Sequence, residues 1–590
     1  MRLYRILTFL AILTGSIVAG SLFSQELKPV AERVAVQNAL FDQQYESDLA
    51  NFPERATAFG DYRYNDKLND RSLEAIARRH KIDTEFLARL QAIPSDGFSD
   101  QDQLSHDLLI RVLHQRGADF DLKEYEMPVS QASGVHTDLA DLPLSVPLDS
   151  VKHYEDYVAR LRQIPQALSQ TTGVLRAGMA DKLMPVRFLL EKVPVQCQGI
   201  IDADPFLLPT KKFPADISEE DQKRLTQELT DAVNRDVIPA YRLFAAFVRA
   251  EYAPKGRTTL AITSLPDGEK RYQNDISART TTHMTADEIH QLGLREMERI
   301  QAEMTAIAKK EGFEDLAAYR ASLKTNPKYI PKSSEEILED FRRYIAQMEP
   351  KLPELFTLLP KSPVTVEAIP DFQAAAATHY VTGTPDGKRP GRVVVATSNF
   401  AQRSLILDEA IAYHEGIPGH HMQLSVQQQL SGLPKFRLHG LSFTAYTEGW
   451  ALYAEQLGKD VGFYTEPASD YGRLSSELFR AVRLVVDTGI HSKGWSRDQV
   501  VEFFRKSGAV DEPSIQSETD RYIAWPAQAL AYKLGQLKFR ELRARAQHEL
   551  GPKFDIRSFH DEMLDGGTLP LDLLDARTNQ WIADQKAKSQ

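Results

Sequence analysis

The sequence predicts a mainly α protein with a small β-sheet just ahead of its most chemically loaded helix, on three observations. Apolar residues recur at three-to-four spacing over long stretches, capping patterns open several of those stretches, and β-branched runs are confined to one short region. Val151, Tyr154, Tyr157, Leu161 and Ile164 form such a stripe before Pro165, and a core-facing helix explains it. Ser218 with Asp221, Thr285 with Glu288 and Ser333 with Glu336 are spaced as capping pairs. The middle one opens the stripe Ile289, Leu292, Ile300, Met304 and Ile307. Strand signals sit at Val364 and Val366 and again from Arg392 to Thr397, with Pro385-Asp386-Gly387 as a turn between them. The Arg392–Thr397 run is expected to offer a sheet edge on which an extended peptide pairs.

At 590 residues, 42% hydrophobic and 26% charged, the chain has the composition of a globular protein that buries a large core. No Pro- or Gly-rich linker, repeat or low-complexity segment divides it. The expected organisation is a signal peptide over residues 1–24, an N-terminal helical lobe over 25–280, and a second lobe over 281–590 that carries the motifs. Arg2 and Arg5 precede an uncharged stretch from Ile6 to Phe23, the layout of a secretory signal. Export to the periplasm or medium is therefore expected, with no stable membrane insertion after the signal is removed. A net charge of −11 lacks the basic footprint that phosphate backbones require, so no nucleic-acid partner is expected. The lone cysteine, Cys197, excludes an internal disulfide and most thiol redox chemistry. Neither a phosphate-cradling Gly-rich loop after a strand nor a serine nucleophile elbow is present.

Three of the fifteen histidines, His414, His420 and His421, fall within one stretch of eight residues, with Glu415 directly after the first. A zinc hydrolase places two neutral imidazoles on the metal and a carboxylate beside the attacking water, and HExxH does this because residues four apart share a helix face. Here position 418, where the second histidine would stand, is Pro418. On an unbroken helix, His420 and His421 would lie about 9 to 10.5 Å along the axis from His414. Pro418 and Gly419 are expected to bend the backbone and return one of them to the metal. His420, which follows a glycine, is the preferred second ligand, with His421 as the alternative.

A third ligand is expected from Thr447-Glu-Gly-Trp-Ala-Leu-Tyr-Ala-Glu455, where Glu448 and Glu455 are seven apart within an otherwise apolar segment. Buried carboxylates are costly unless paired or metal-bound. Glu448 is read as the ligand and Glu455 as a group that orients a ligating histidine. Further on, Asp487 and His491 are spaced i, i+4, which suits a carboxylate holding an imidazole. Tyr522, Gln528 and Tyr532 offer neutral donors of the kind that stabilise an oxyanion. Arg473, Arg480, Arg483 and Arg521 are candidates for a cation that holds a substrate carboxylate.

The segments HEGIPGHHMQ, TEGWALYAEQLG, RLVVDTGIHSKGWS and YIAWPAQALAYKLGQLKF, in this order, resemble the bacterial domain-of-unknown-function family 885. TADEIHQLGLREMERI and DGGTLPLDLL fit it too, so the resemblance is dense over residues 270–580. It implies a gluzincin-like zinc metallopeptidase whose large, two-lobed helical fold surrounds a deep cleft, similar to thimet oligopeptidase, angiotensin-converting enzyme and carboxypeptidase Taq. It further implies His414, His420 or His421, and Glu448 as Zn2+ ligands, Glu415 as general base, and His491 with Tyr522 as oxyanion donors. The expected activity is hydrolysis of short peptides. The competing readings are a peptide-binding envelope protein with a degenerate metal site and a metal-dependent amidase or esterase.

Overall fold

The capping signals act as spaced: Thr285 and Glu288 close a reciprocal capping box, and Ser218 and Ser333 each accept the backbone N–H three residues on. The computed structural model describes residues 28–370 and 376–588, and the signal segment expected over 1–24 lies outside them. Tyr154, Tyr157, Leu161 and Ile164 are all buried, as a core stripe requires.

Eleven of the helices position the site or its surroundings. They are α1 (Val30–Asn51), α2 (Asp100–Asp121), α3 (Gly268–Thr280), α4 (Ala286–Lys310), α5 (Ser334–Met348), α6 (Asp408–Glu415), α7 (His420–Gln429), α8 (Thr444–Asp460), α9 (Pro467–His491), α10 (Glu512–Ala524) and α11 (Leu530–Leu550). One sheet stands between α5 and α6, built of β1 (Val364–Ala368), β2 (His379–Val381) and β3 (Gly391–Val395) in the order β1-β3-β2. β1 runs parallel to β3, with Val364 opposite Gly391. β2 runs antiparallel, with His379 opposite Val394. This corrects one expectation: β3 is paired on both sides, so Arg392–Val395 is the centre of the sheet and β2 is an edge. The cause is the parallel pairing with β1, a long-range contact that local composition does not encode.

Hydrophobic packing crosses residue 280. Side chains from Leu40 to Leu113 share one core cluster with others from Ile337 to Ile582, and Val393 and Val395 of β3 join it. A second cluster runs from Leu68 to Ala253 and contains the buried Cys197. Helices α8 and α11 meet through glycine, because a Cβ on Gly449 would overlap the backbone of Gly535. That close approach fixes the helix that carries Glu448.

Candidate metal centre

Pro418 and Gly419 do more than kink the helix. α6 ends at Glu415, four residues turn, and α7 starts afresh at His420. The Ile417–Pro418 peptide bond is cis. Within the turn, the His421 N–H reaches back to the Gly416 carbonyl at 3.1 Å, and the Trp450 indole N–H of α8 donates to the Pro418 carbonyl at 2.9 Å. Gly419 lies directly on the end of α6, where a Cβ would overlap the carbonyl oxygens of His414 and Tyr413. The result is a pair of adjacent imidazoles, His414 and His420, with ring centroids 4.9 Å apart and planes at 88°.

Glu448 of α8 completes the group. Its Oε2 stands 3.6 Å from His414 Nε2 and 3.5 Å from His420 Nε2, and the three donor atoms lie within 4.8 Å of one another. Those spacings exceed the roughly 2.7–3.2 Å of an N–H···O hydrogen bond. Donors at about 2.0–2.2 Å around a tetrahedral zinc stand about 3.3–3.5 Å apart, close to the 3.5 and 3.6 Å observed. Two neutral imidazoles and a carboxylate are the donor set of a hydrolytic zinc site, so the residues present fit that ion.

Glu455, two turns along α8, bonds His414 Nδ1 at 2.9 Å. An Nδ1–H donated to a carboxylate leaves the Nε2 lone pair facing Glu448 and His420, the tautomer that a metal ligand needs. The surrounding carboxylates favour positive charge at this point, whether carried by a proton on His414 or by a metal ion. Burial works to strip the proton from His414, yet the Glu448 and Glu455 carboxylates outweigh it and raise the imidazole to about 9. Burial likewise pushes Glu448 up, and the two imidazoles reverse this and hold it well below the carboxylate range. Glu415 adds a third carboxylate. It is 8% exposed, and its side chain makes no hydrogen bond or ion pair with any described residue. Its oxygens are not among the buried polar atoms cut off from solvent, so water or a ligand can reach the carboxylate.

The other residues singled out from the sequence go elsewhere. His421, the alternative ligand, faces the sheet: Nε2 donates to the Ser362 carbonyl at 3.0 Å, and Nδ1 accepts from the Tyr380 hydroxyl at 3.0 Å. Burial lowers it to about 4, so it is a neutral core histidine. His491 is fully buried, with Nδ1 accepting the Ile262 N–H at 3.1 Å and Nε2 donating to the Tyr522 carbonyl at 2.9 Å. Both nitrogens are occupied, and burial lowers the ring to about 3. The Tyr522 hydroxyl donates to Glu518 and accepts from Arg483 Nε at 2.8 Å, again fully buried. Both side chains are thus committed to partners within the fold.

Asp487 does not hold His491. It accepts the Tyr272 hydroxyl at 2.7 Å and the Ala527 N–H at 3.2 and 3.1 Å. Ala527 has φ +61°, a left-handed conformation that costs a non-glycine residue energy and needs such an anchor. Asp487 and His491 thus clamp the 522–527 segment. Arg521 donates to Gln528 Oε1 at 2.7 Å and lies 3.4 Å from the Tyr532 hydroxyl. Arg473 pairs with Asp470, Arg483 with Glu518, and Arg480 with Ser476. All four candidate arginines therefore have partners within the protein.

Sequence reasoning missed the buried Thr447 hydroxyl and His439 Nδ1, which have no partner among the described residues. Both residues line a cavity of about 560 Å3 next to α7 and α8. Thr447 stands immediately before Glu448 and was within reach of the motif; nothing local marks His439.

No curated protein matches the chain. The crystal structure of the "putative lipoprotein" from Colwellia psychrerythraea is 26% identical, with a TM-score of 0.88 over 94% of this chain and 100% of that one. A "putative lipoprotein of unknown function" from Shewanella oneidensis shares the fold at 19% identity and TM-score 0.70, over 94% of this chain and 100% of that one. The model of the family described as bacterial protein of unknown function (DUF885) matches residues 53–577, and the chain belongs to that family.

Proposed function

We propose that the protein is an exported, zinc-dependent peptidase of short peptides. The observation that carries this reading is the convergence of His414 Nε2, His420 Nε2 and Glu448 Oε2 within 4.8 Å, beside the carboxylate of Glu415, which has no partner among the described residues. His414, His420 and Glu448 would hold the ion, and Glu455 orients His414. Zinc held there supplies a Lewis acid that polarises a carbonyl and makes water more acidic. Glu415 takes the proton from the attacking water and passes it to the leaving amine. A site that only binds peptides has no use for that free carboxylate, which favours hydrolysis over a binding module.

Two cavities of about 580 and 560 Å3 support the reading of a cleft. Ser442, just before α8, lines both, although the three ligands line neither. The second is walled by His379 and Val381 of β2, and an extended peptide laid along this edge strand would pass beside α7. Export is supported by the relative described as a putative lipoprotein. The sole cysteine, Cys197, is buried and unsuited to carry a lipid. The test is hydrolysis of a peptide library by zinc-loaded protein, with matched esters and non-peptide amides in parallel. Peptide cleavage that Glu415→Gln abolishes supports the reading; cleavage of the esters or non-peptide amides alone would assign a different hydrolase.

A further inference from the structure

The cavity of about 560 Å3 lies within one turn of two of the three metal ligands. Leu424, on its wall, follows His420 by four residues on α7 and so shares its face, and Thr447 directly precedes Glu448. Phe59, Val381, Val394, Leu438 and Leu441 contribute to the wall, and although about half of the lining residues are polar or charged, most of the surface facing the cavity is apolar. The arginines at its margin are partly satisfied. Arg392 faces Glu367 at 3.4 Å, and Arg389 donates to the Ser145 and Ala58 carbonyls at 3.3 and 3.2 Å. Four buried polar atoms of its lining residues, Thr447 Oγ1, His439 Nδ1, Arg389 Nε and Arg392 Nε, have no partner among the described residues. A chamber that presents mainly apolar surface is the usual form of a pocket that takes an apolar group.

We propose that this cavity is the specificity pocket of the enzyme and accepts a large apolar side chain of the substrate peptide, leucine- or phenylalanine-like. The inference rests on the peptidase reading for its catalytic meaning, but peptide binding tests it separately. Burying one such side chain is worth roughly a tenfold or greater gain in affinity over glycine.

The probes are dansylated pentapeptides Ala-Ala-Xaa-Ala-Ala with Phe, Leu, Gly or Asp at Xaa. Their binding to the Glu415→Gln protein, silent in cleavage, is measured by fluorescence anisotropy with and without added zinc. The Phe and Leu peptides are expected to bind at least about tenfold tighter than the Gly and Asp peptides. Leu441→Trp, which fills the chamber from a half-buried loop position, is expected to erase that difference. Equal binding of all four peptides, or tightest binding of the Asp peptide, would overturn the proposal without any variant of the cavity being needed. A protein that binds zinc and cleaves peptides with no apolar preference would refute the pocket and leave the peptidase reading standing. Apolar preference in a protein that never takes up zinc would do the reverse.

Discussion

Glu415 and Glu455 are both buried glutamates within reach of His414, and their roles separate under substitution. Glu415→Gln keeps the shape and removes the base, so zinc content should be unchanged while peptide hydrolysis falls by about 10²–10⁴. Glu455→Gln keeps an oxygen near His414 Nδ1 but removes the charge that fixes its tautomer. Metal affinity, measured by competition with a chelator, should drop about 10–100-fold. Much of this arrangement was legible in the residues. His414 with Glu415, and Glu448 with Glu455 seven apart on an apolar helix, marked side chains that the fold brings together. The choice between His420 and His421 was open because both follow the break, and only the path of four turn residues decides which imidazole returns.

At the level of elements, the break between α6 and α7 replaces the missing HExxH register. Gly419 is the residue it depends on, since any Cβ meets the last carbonyls of α6. Gly419→Ala should fold, as judged by circular dichroism, yet lose most of its zinc because His420 is displaced. The polar residues of α9 misled for a physical reason. A buried Asp or His on an apolar helix reads the same whether it serves a site or ties down a neighbouring segment, and Asp487 and His491 do the latter. His491→Ala leaves the Ile262 N–H and the Tyr522 carbonyl unpaired beside a cavity, which should cost about 2–4 kcal/mol of stability with zinc content unchanged.

Asp487 gives that clamp a pH dependence. Burial raises it to about 7 against the opposing hydrogen bonds from Tyr272 and Ala527. A folded-state value above the unfolded one, near 3.9, means the fold binds the extra proton. Its stabilisation is full below about 4 and is lost as pH rises toward 7. Asp487→Asn, which mimics the protonated carboxyl, should therefore melt higher relative to wild type at pH 8 than at pH 5. The sheet teaches a related lesson. β3 was visible as a strand, while its central place depended on β1, 27 residues earlier in register, a pairing that period and propensity do not report.

Across the whole molecule, helical class followed from periodicity and caps because those are local signals, whereas the division of the core did not. Leu40 to Leu113 pack with residues beyond 337, a contact no sequence window contains, so residue 280 separates segments more than it separates cores. The site is assembled from α6, α7 and α8, which lie within about fifty residues of chain and were therefore the easiest part to find. Hydrolysis at Glu415 requires that His414, His420 and Glu448 hold a metal. The decisive measurement is elemental analysis of the purified mature protein beside His414→Ala and Glu448→Ala. About one zinc per chain in the wild type, with little in either folded variant, is the result expected of three ligands around one ion. Wild-type protein that is natively folded yet metal-free after zinc is supplied would contradict the account.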